Sequence, residues 1–281
     1  MVQAGPAAPG RGTIVFIHAN GFPAGTYRVL FEAWRAAGWR VLAHEKFGHD
    51  PRYPVASGWS RLRDELLDFV EREAGGGPVA LVGHSFGGIL SLLAASRKPQ
   101  LASAIVMLDA PVVAGWRAHG FRMLKATRLI ERGGPGRISA RRRTSWPSAA
   151  ALREHFERKQ VFARWDRRVL DDYLRCGFLP APDGSVRLAF DREVETRIYN
   201  SLPHHVPQLL RRHPLRCPVA YVGGTRSVEH RQLGIAFVRR LAGPRWRWIE
   251  GSHLFPMEKP AETAAMVLEL LQVAAESRRR P

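Results

Sequence analysis

Short apolar runs alternate with amphipathic stretches through the first 111 residues of the chain. The apolar runs, each of which predicts a buried strand, cover 13–17, 39–43, 79–82 and 104–108. Two of the stretches that separate them, 27–37 and 59–73, repeat their apolar residues at helical spacing. Strands that alternate with helices favour a parallel sheet with right-handed crossovers. We therefore expect an α/β fold whose ligands bind at the carboxyl ends of the strands.

The alternation breaks down between residues 112 and 214. This segment has helical patches at 121–131, 148–160 and 167–176. Its aromatic residues include Trp116, Trp146, Phe156, Phe162, Trp165, Phe178 and Tyr199. The strand pattern resumes at 218–222 and 245–250, before a final helix at 260–275. We therefore predict a core of residues 1–111 and 215–281 and an inserted, mainly helical lid of residues 112–214, which follows the strand ending at Asp109. A lid must cover an apolar pocket, so its aromatic residues are expected on the inner face.

The sequence Gly-His-Ser-Phe-Gly-Gly at 83–88 joins the third apolar run to an apolar helix. A serine at the apex of so sharp a turn takes a strained conformation, and Gly83 and Gly87 leave space because glycine has no Cβ. Strand, turn and helix together are the context of a nucleophile elbow, so Ser85 is a candidate nucleophile. The helix would direct its first N–H groups, including that of Phe86, at developing negative charge. The alternative is a plain Gly-rich turn in another α/β fold.

Charge is distributed unevenly along the 281 residues. The chain carries 43 basic and 25 acidic residues, a net charge of +18. Residues 112–214 hold 21 basic and 10 acidic residues, so most of the excess lies in the predicted lid. Arginine-rich codon usage could produce this without a function; a basic face for an anionic substrate group or a membrane surface is the functional alternative. No nucleic-acid-binding motif accompanies the charge, so no nucleic-acid partner is expected. The run Arg141–Arg143 is predicted to be solvated, with anion contact as the alternative.

The cysteine content and the lengths of the apolar runs give expectations about disulfides, metals and location. Cys176 and Cys217 are too few for a disulfide framework, and no CxxC spacing is present. We expect neither a metal nor a cofactor. No apolar run approaches the length of a membrane-spanning helix, and residues 1–12 lack the apolar region of a signal peptide. A cytoplasmic location is the default expectation.

Three motifs together resemble those of the α/β-hydrolase superfamily, in its serine-hydrolase branch with a cap domain. They are HANGFP at 18–23, GHSFGG at 83–88 and GSHLFPMEKP at 251–260. The resemblance extends from Thr13 to Ala275. It implies an α/β-hydrolase fold, with a mostly parallel sheet flanked by helices. It also implies that His253, which follows the final strand, is the general base for the serine. The loop after the first strand would supply the second oxyanion-hole N–H, from Phe22 or Asn20.

The resemblance leaves two positions for the acidic member of a catalytic triad. Many relatives place it after the strand that here ends at Val222, where residues 225–228 are not acidic and Glu229 is the next carboxylate. The other position is the end of the strand after the elbow helix, which is Asp109. We prefer Asp109 and retain Glu229 as the alternative. A cap for the Ala110-Pro111 turn is the structural alternative for Asp109.

A serine nucleophile implies acyl transfer to water, whereas dehalogenases and epoxide hydrolases of this superfamily use an aspartate. We expect a carboxylesterase-type serine hydrolase that acts through an acyl-enzyme on a small-molecule ester with an apolar acyl or aryl group. One alternative is a thioesterase or C–C-bond hydrolase whose anionic substrate contacts the basic lid. Another is a non-catalytic, ligand-binding homologue.

Overall fold

The computed structural model of the chain describes residues 10–127, 129 and 134–279. The strands are β1 (Thr13–Ile17), β2 (Arg40–Ala43), β3 (Val79–His84), β4 (Ala102–Leu108), β5 (Ser145–Trp146), β6 (Phe178–Pro180), β7 (Val186–Leu188), β8 (Val219–Gly224) and β9 (Trp246–Ile249). Six of them form a central sheet in the order β2-β1-β3-β4-β8-β9. Every neighbouring pair in this sheet is parallel, as the alternating pattern predicts.

Helices connect these strands and cover both faces of the sheet. They are α1 (Arg28–Ala36), α2 (Ser60–Ala74), α3 (Phe86–Arg97), α4 (Trp116–Ala126), α5 (Pro135–Ala140), α6 (Ala149–Glu157), α7 (Arg167–Cys176), α8 (Arg192–Asn200), α9 (Val206–Arg212), α10 (Glu229–Leu233), α11 (Ala236–Ala242), α12 (Phe255–Glu258) and α13 (Pro260–Arg279). Short 3-10 turns lie at Ala24–Tyr27, Ser57–Trp59, Phe162–Arg164 and Gly243–Arg245. Within the described ranges, no helix has both the length and the apolar character needed to cross a bilayer.

The core divides into two apolar clusters, one on each face of the sheet. Along β1, Ile14 and Phe16 join one cluster and Val15 and Ile17 the other, because successive side chains of a strand point to opposite faces. Helices α1 and α13 contribute to the first cluster, and α2 and α3 to the second. Burial on both faces explains why the strands appear in the sequence as continuous apolar runs.

The segment 112–214, which we call the lid segment, follows β4 and precedes β8. It contains α4–α9, but also a small antiparallel sheet in the order β5-β7-β6 that the sequence pattern does not predict. Its strands have only two or three residues, too few for a period to be seen.

The predicted lid aromatic residues differ in their surroundings. Trp146, Phe156 and Trp165 are buried, but Trp116 is 77% exposed, so the expected inner position is wrong for that residue. Only Tyr199 of the aromatic residues named above lines the cavity that holds Ser85, so an aromatic inner face over that cavity stays a prediction for the others. Trp116 begins α4 five residues before the predicted start of that helix. The predicted end of the helix, at 131, lies outside the described residues.

Candidate active site

The turn between β3 and α3 holds Ser85 in a conformation that few residues adopt. Its φ is 52° and its ψ is −113°, a strain that costs about 1–3 kcal/mol. Close packing enforces the turn. A Cβ on Gly83 would lie 2.3 Å from the backbone of Gly87, and one on Gly87 would lie 2.1 Å from the carbonyl oxygen of Ile17. The strain is therefore maintained by backbone contacts that only glycine permits.

Three sequence-predicted residues meet at the carboxyl ends of their strands. The Oγ atom of Ser85 lies 2.9 Å from Nε2 of His253. The other ring nitrogen of His253, Nδ1, lies 3.0 Å from Oδ2 of Asp109. Ser85 follows β3, Asp109 follows β4 and His253 follows β9. The structure thus forms a continuous hydroxyl–imidazole–carboxylate chain from residues far apart in the sequence.

The alternative acid, Glu229, also lies near the imidazole but is less closely engaged. Its Oε2 atom is 3.8 Å from Nδ1 of His253 and accepts a hydrogen bond of 3.0 Å from the hydroxyl of Ser227. The side chain of Glu229 is 31% exposed, whereas that of Asp109 is fully buried. Distance and burial therefore both favour Asp109 as the partner of the imidazole.

The local charges keep the carboxylate ionised and make the imidazole more basic. Burial raises the pKa of Asp109, but contacts with His230 and His253 outweigh it and lower that pKa to about 2. Burial also lowers the pKa of His253, but the hydrogen bond and charge of Asp109, with a contribution from Glu229, raise it above the ordinary value. A raised pKa suits a base that must take a proton from a hydroxyl.

His230 is a component of the site that the sequence analysis missed. It lies in α10, its side chain is 8% exposed, and its Nε2 contacts Oδ1, the second carboxylate oxygen of Asp109. The hydroxyl of Tyr221 lies 3.0 Å from the same nitrogen. The only sequence signal for His230 is that it follows β8, and β8 is the neighbour of β4, the strand that Asp109 follows.

A second missed component is His84, the residue before the candidate nucleophile. It is fully buried, and burial, together with the charge of His253, lowers its pKa to about 3, so the ring is neutral. Its Nε2 lies 2.9 Å from the backbone oxygen of His253, and its Nδ1 lies 2.7 Å from the hydroxyl of Tyr27. That hydroxyl accepts a hydrogen bond of 3.2 Å from the N–H of Ala19. The ring therefore donates to the loop that carries His253 and is linked through Tyr27 to the loop after β1.

The two candidates for the second oxyanion donor differ in their surroundings. The N–H of Phe22 already donates to the carbonyl of Ala19 at 3.1 Å, and its ring packs on Trp165 in the lid segment. Asn20 instead lines the cavity that contains Ser85 and Phe86. The N–H of Phe22 is therefore engaged in a turn, and Asn20 stays our prediction for the second oxyanion donor.

The cavity above Ser85 has a volume of about 570 Å³. Its apolar lining residues include Trp59, Ile89, Phe121, Ile198, Leu202 and Leu233. Its polar lining residues include Ser85, His253, Asn20, Glu229 and Gln232. This size and this lining are typical of a pocket for a small organic molecule with one reactive polar end.

The donor atoms of Asp109, Glu229 and His253 lie within 4.8 Å of one another, the spacing of a metal site. One ring nitrogen of His253 contacts Ser85 and the other contacts Asp109. The two carboxylate oxygens of Asp109 contact His253 and His230. These donors are engaged with one another, and the absence of a metal or cofactor stays a prediction.

Comparison with known proteins identifies the family. The sequence profile of the alpha/beta hydrolase family matches residues 14–266. The chain belongs to this family. The fold class predicted from the three motifs is thereby confirmed. A solved structure of E-2-(acetamidomethylene)succinate hydrolase has the same fold, with a TM-score of 0.72 and 18% identity over 95% of this chain and 93% of that one.

Curated relatives are similar over shorter stretches. Monoglyceride lipase of Mus musculus is 27% identical over 131 residues, which are 44% of this chain and 43% of the lipase. The probable esterase PIR7A of Oryza sativa subsp. indica is 32% identical over 120 residues, 42% of this chain and 46% of that protein. The chain thus spans less than half the length of the curated relatives it matches.

Proposed function

We propose that the protein is a serine hydrolase that cleaves carboxylic esters through an acyl-enzyme intermediate. The observation that carries the proposal is the chain of contacts from Ser85 through His253 to Asp109, at 2.9 and 3.0 Å. Such a chain lets the imidazole accept the hydroxyl proton while the carboxylate stabilises the resulting imidazolium.

In the first half-reaction, Ser85 Oγ attacks the ester carbonyl and its proton passes to Nε2 of His253. The oxyanion that forms is met by the N–H of Phe86 at the start of α3 and, in our proposal, by the N–H of Asn20. One such donor is worth about 3 kcal/mol in comparable sites. His253 then gives the proton to the leaving alcohol as the carbon–oxygen bond breaks.

In the second half-reaction, water attacks the acyl-enzyme and transfers a proton to the same nitrogen. The tetrahedral intermediate collapses, the proton returns to Ser85, and the carboxylic acid leaves. Asp109 holds Nδ1 throughout, so that Nε2 always faces the reacting atoms.

The apolar cavity supports an ester with an apolar acyl or aryl group. Its lining would bury a chain or ring beside Ser85. The relatives named monoglyceride lipase and probable esterase also support ester substrates.

The test uses a fluorophosphonate probe and p-nitrophenyl butyrate with the whole chain. We expect the probe to label the protein and the ester to turn over, and both to be lost in Ser85→Ala. Ser277→Ala, which changes an exposed serine on α13, is the matched control and should retain both. A folded protein that is neither labelled nor active would refute the proposal and favour a ligand-binding homologue.

The basic lid segment favours a second candidate, a thioesterase whose substrate carries phosphates. Its 21 basic residues against 10 acidic ones would attract an anionic carrier such as coenzyme A. The ratio of kcat/KM for butyryl-CoA to that for p-nitrophenyl butyrate separates the two. A ratio well above one identifies a thioesterase, and a ratio well below one identifies an esterase.

A further inference from the structure

A second cavity, with a volume of about 740 Å³, lies mainly within the lid segment. Its aromatic lining residues are Phe22, Trp146, Phe156, Phe162, Tyr173 and Tyr199. Most of these rings contact one another, and two pairs pack edge to face; Phe156, for example, meets Tyr173 at 90° with the ring centroids 5.4 Å apart. The cavity therefore has rigid aromatic walls that can bury an apolar chain or ring.

Exposed cations line the same cavity. Arg141, Arg143 and Lys159 line it and are exposed to solvent. The guanidinium of Arg143 lies 5.4 Å from the ring centroid of Trp146, and the ammonium of Lys159 lies 5.2 Å from that of Phe156. Among residues 10–127, 129 and 134–279, no carboxylate forms an ion pair with any of these three cations.

A fourth cation lies deeper. Arg142 is only 21% exposed and forms an ion pair of 2.7 Å with Glu195, which is the one carboxylate among the described lining residues. Arg142 also contacts the hydroxyl of Tyr173. The expectation that the whole arginine run is solvated is therefore wrong for Arg142. Four cations face a single carboxylate, which leaves the cavity with a net positive charge.

This excess of positive charge contributes to lowered pKa values at two titratable groups of the cavity. Burial, followed by the charge of Arg142, lowers the pKa of Lys159. Burial, followed by the charges of Lys159 and Arg143, lowers the pKa of His155. Like charges thus oppose one another across the cavity, and a bound anion would relieve that repulsion.

We propose that this cavity is a binding site for an amphiphilic anion, an apolar chain or ring that carries a carboxylate or phosphate. The apolar part would pack on the aromatic walls. The anionic end would face Arg141, Arg143 and Lys159. This inference goes beyond the hydrolase proposal, because it depends on none of the groups that would perform the chemistry.

The cavity also adjoins the candidate active site. Pro135 and Tyr199 line both cavities. A Cβ on Gly21, in the candidate oxyanion loop, would lie 2.8 Å from Glu195 Oε1 and 3.1 Å from a guanidinium nitrogen of Arg142. A ligand in the second cavity would therefore lie close to the loop that carries Asn20.

The experiment measures binding by calorimetry to Ser85→Ala protein, in which no ester chemistry can occur. The probes are octanoate, octyl phosphate, the neutral 1-octanol and inorganic phosphate. We expect at least one of the octyl anions to bind about tenfold more tightly than 1-octanol. Inorganic phosphate should bind more weakly than octyl phosphate, because it buries no chain. The stronger of the two octyl anions identifies the head group as a carboxylate or a phosphate.

Two triple variants locate the site. Arg141→Gln, Arg143→Gln and Lys159→Gln together should weaken anion binding about tenfold or more. The control combines Arg164→Gln, Arg167→Gln and Arg187→Gln, which remove the same charge from exposed lid residues outside the cavity. It should change affinity less than about twofold. All six positions are exposed, so both variants should fold, and circular dichroism checks this.

Salt dependence provides a measurement without surface substitutions. Raising the NaCl concentration from about 50 to about 500 mM should weaken binding of the octyl anions but not of 1-octanol. The proposal is overturned if 1-octanol binds as tightly as both anions, or if the two triple variants bind the anions equally. Neither result would bear on the labelling of Ser85, so the two proposals fail independently.

Discussion

Asp109→Asn is the substitution that tests the candidate site most directly. It keeps the size of the side chain but removes the charge that faces the imidazole. Glu229→Gln is the matched comparison, because it removes the other carboxylate near the same ring nitrogen. The structure predicts very different losses for the two.

The difference follows from the distance between each carboxylate and the imidazole of His253, and from how far solvent screens each carboxylate. Asp109 Oδ2 lies 3.0 Å from His253 Nδ1 and is fully buried. At an effective dielectric constant of about 20, this separation gives an interaction of about 5 kcal/mol with the imidazolium. Glu229 Oε2 lies at 3.8 Å and its side chain is 31% exposed. Screening close to that of water reduces its interaction to about 1 kcal/mol.

These energies convert to rates. Because the proposed mechanism forms an imidazolium in the transition state, we expect Asp109→Asn to lower kcat by about 10³–10⁴-fold and Glu229→Gln by less than about tenfold. The assay is initial-rate hydrolysis of p-nitrophenyl butyrate, with circular dichroism to verify folding. Equal losses from the two substitutions, or a larger loss from Glu229→Gln, would refute the assignment of Asp109 as the acid.

The pH profile provides a second measure of the same contact. A general base must be neutral, so kcat/KM should rise with pH through the pKa of His253. In the unmodified protein that pKa is raised, because Asp109 outweighs the effect of burial. Without the carboxylate, burial acts largely unopposed, so the rising limb in Asp109→Asn should move to lower pH. A limb that stays in place or moves upward would contradict the geometry.

Three further substitutions test the surroundings of the site. Gly87→Ala should lower the free energy of unfolding in urea by about 3 kcal/mol or prevent folding, because its Cβ would meet backbone at 2.1 Å; Gly77→Ala, with open space around its Cβ, should cost much less. His84→Gln should lower kcat about tenfold with little change in KM, because it weakens the hydrogen bond that holds the loop of the candidate base. His230→Leu should move the rising limb of the pH profile to higher pH, opposite to Asp109→Asn, because the charge of Asp109 would then act more fully on the imidazole; an unmoved limb would mean that His230 does not influence the carboxylate.

Much of the fold follows from burial patterns in the sequence. The predicted strand at 13–17 and the predicted helix at 167–176 match β1 and α7 residue for residue. Strands buried on both faces stand out as apolar runs, and an amphipathic helix shows its period over three turns. The sheet β5-β7-β6 shows neither signal, because its short strands are held by pairing within the lid segment. The exposed Trp116 is a similar case, since the aromatic residue alone does not determine the face on which it lies.

The candidate site likewise contains residues that the sequence predicts and residues that it does not. Ser85 and His253 lie in local motifs whose chemistry can be identified from a few neighbours. Asp109 could be proposed because the ends of parallel strands meet at one edge of the sheet. His230 could not be found, because its contact with Asp109 depends on where the short helix α10 places its side chain relative to the end of β4. The choice between Asn20 and Phe22 depends on a turn closed by a single backbone hydrogen bond, which the sequence does not specify.

His84 forms hydrogen bonds that connect different parts of the candidate site. Within the motif it occupies a position where no residue type is required, yet it is neutral, fully buried and bonded at both ring nitrogens. One bond leads to the loop that carries His253, and the other leads through Tyr27 to the N–H of Ala19 in the loop that carries Asn20. The loops that would hold the base and the oxyanion donor are therefore linked through the side chains of His84 and Tyr27. A displacement of either loop must break a buried hydrogen bond at a cost of about 1–3 kcal/mol. His84 therefore helps to hold the two loops in fixed positions relative to the strained turn at Ser85.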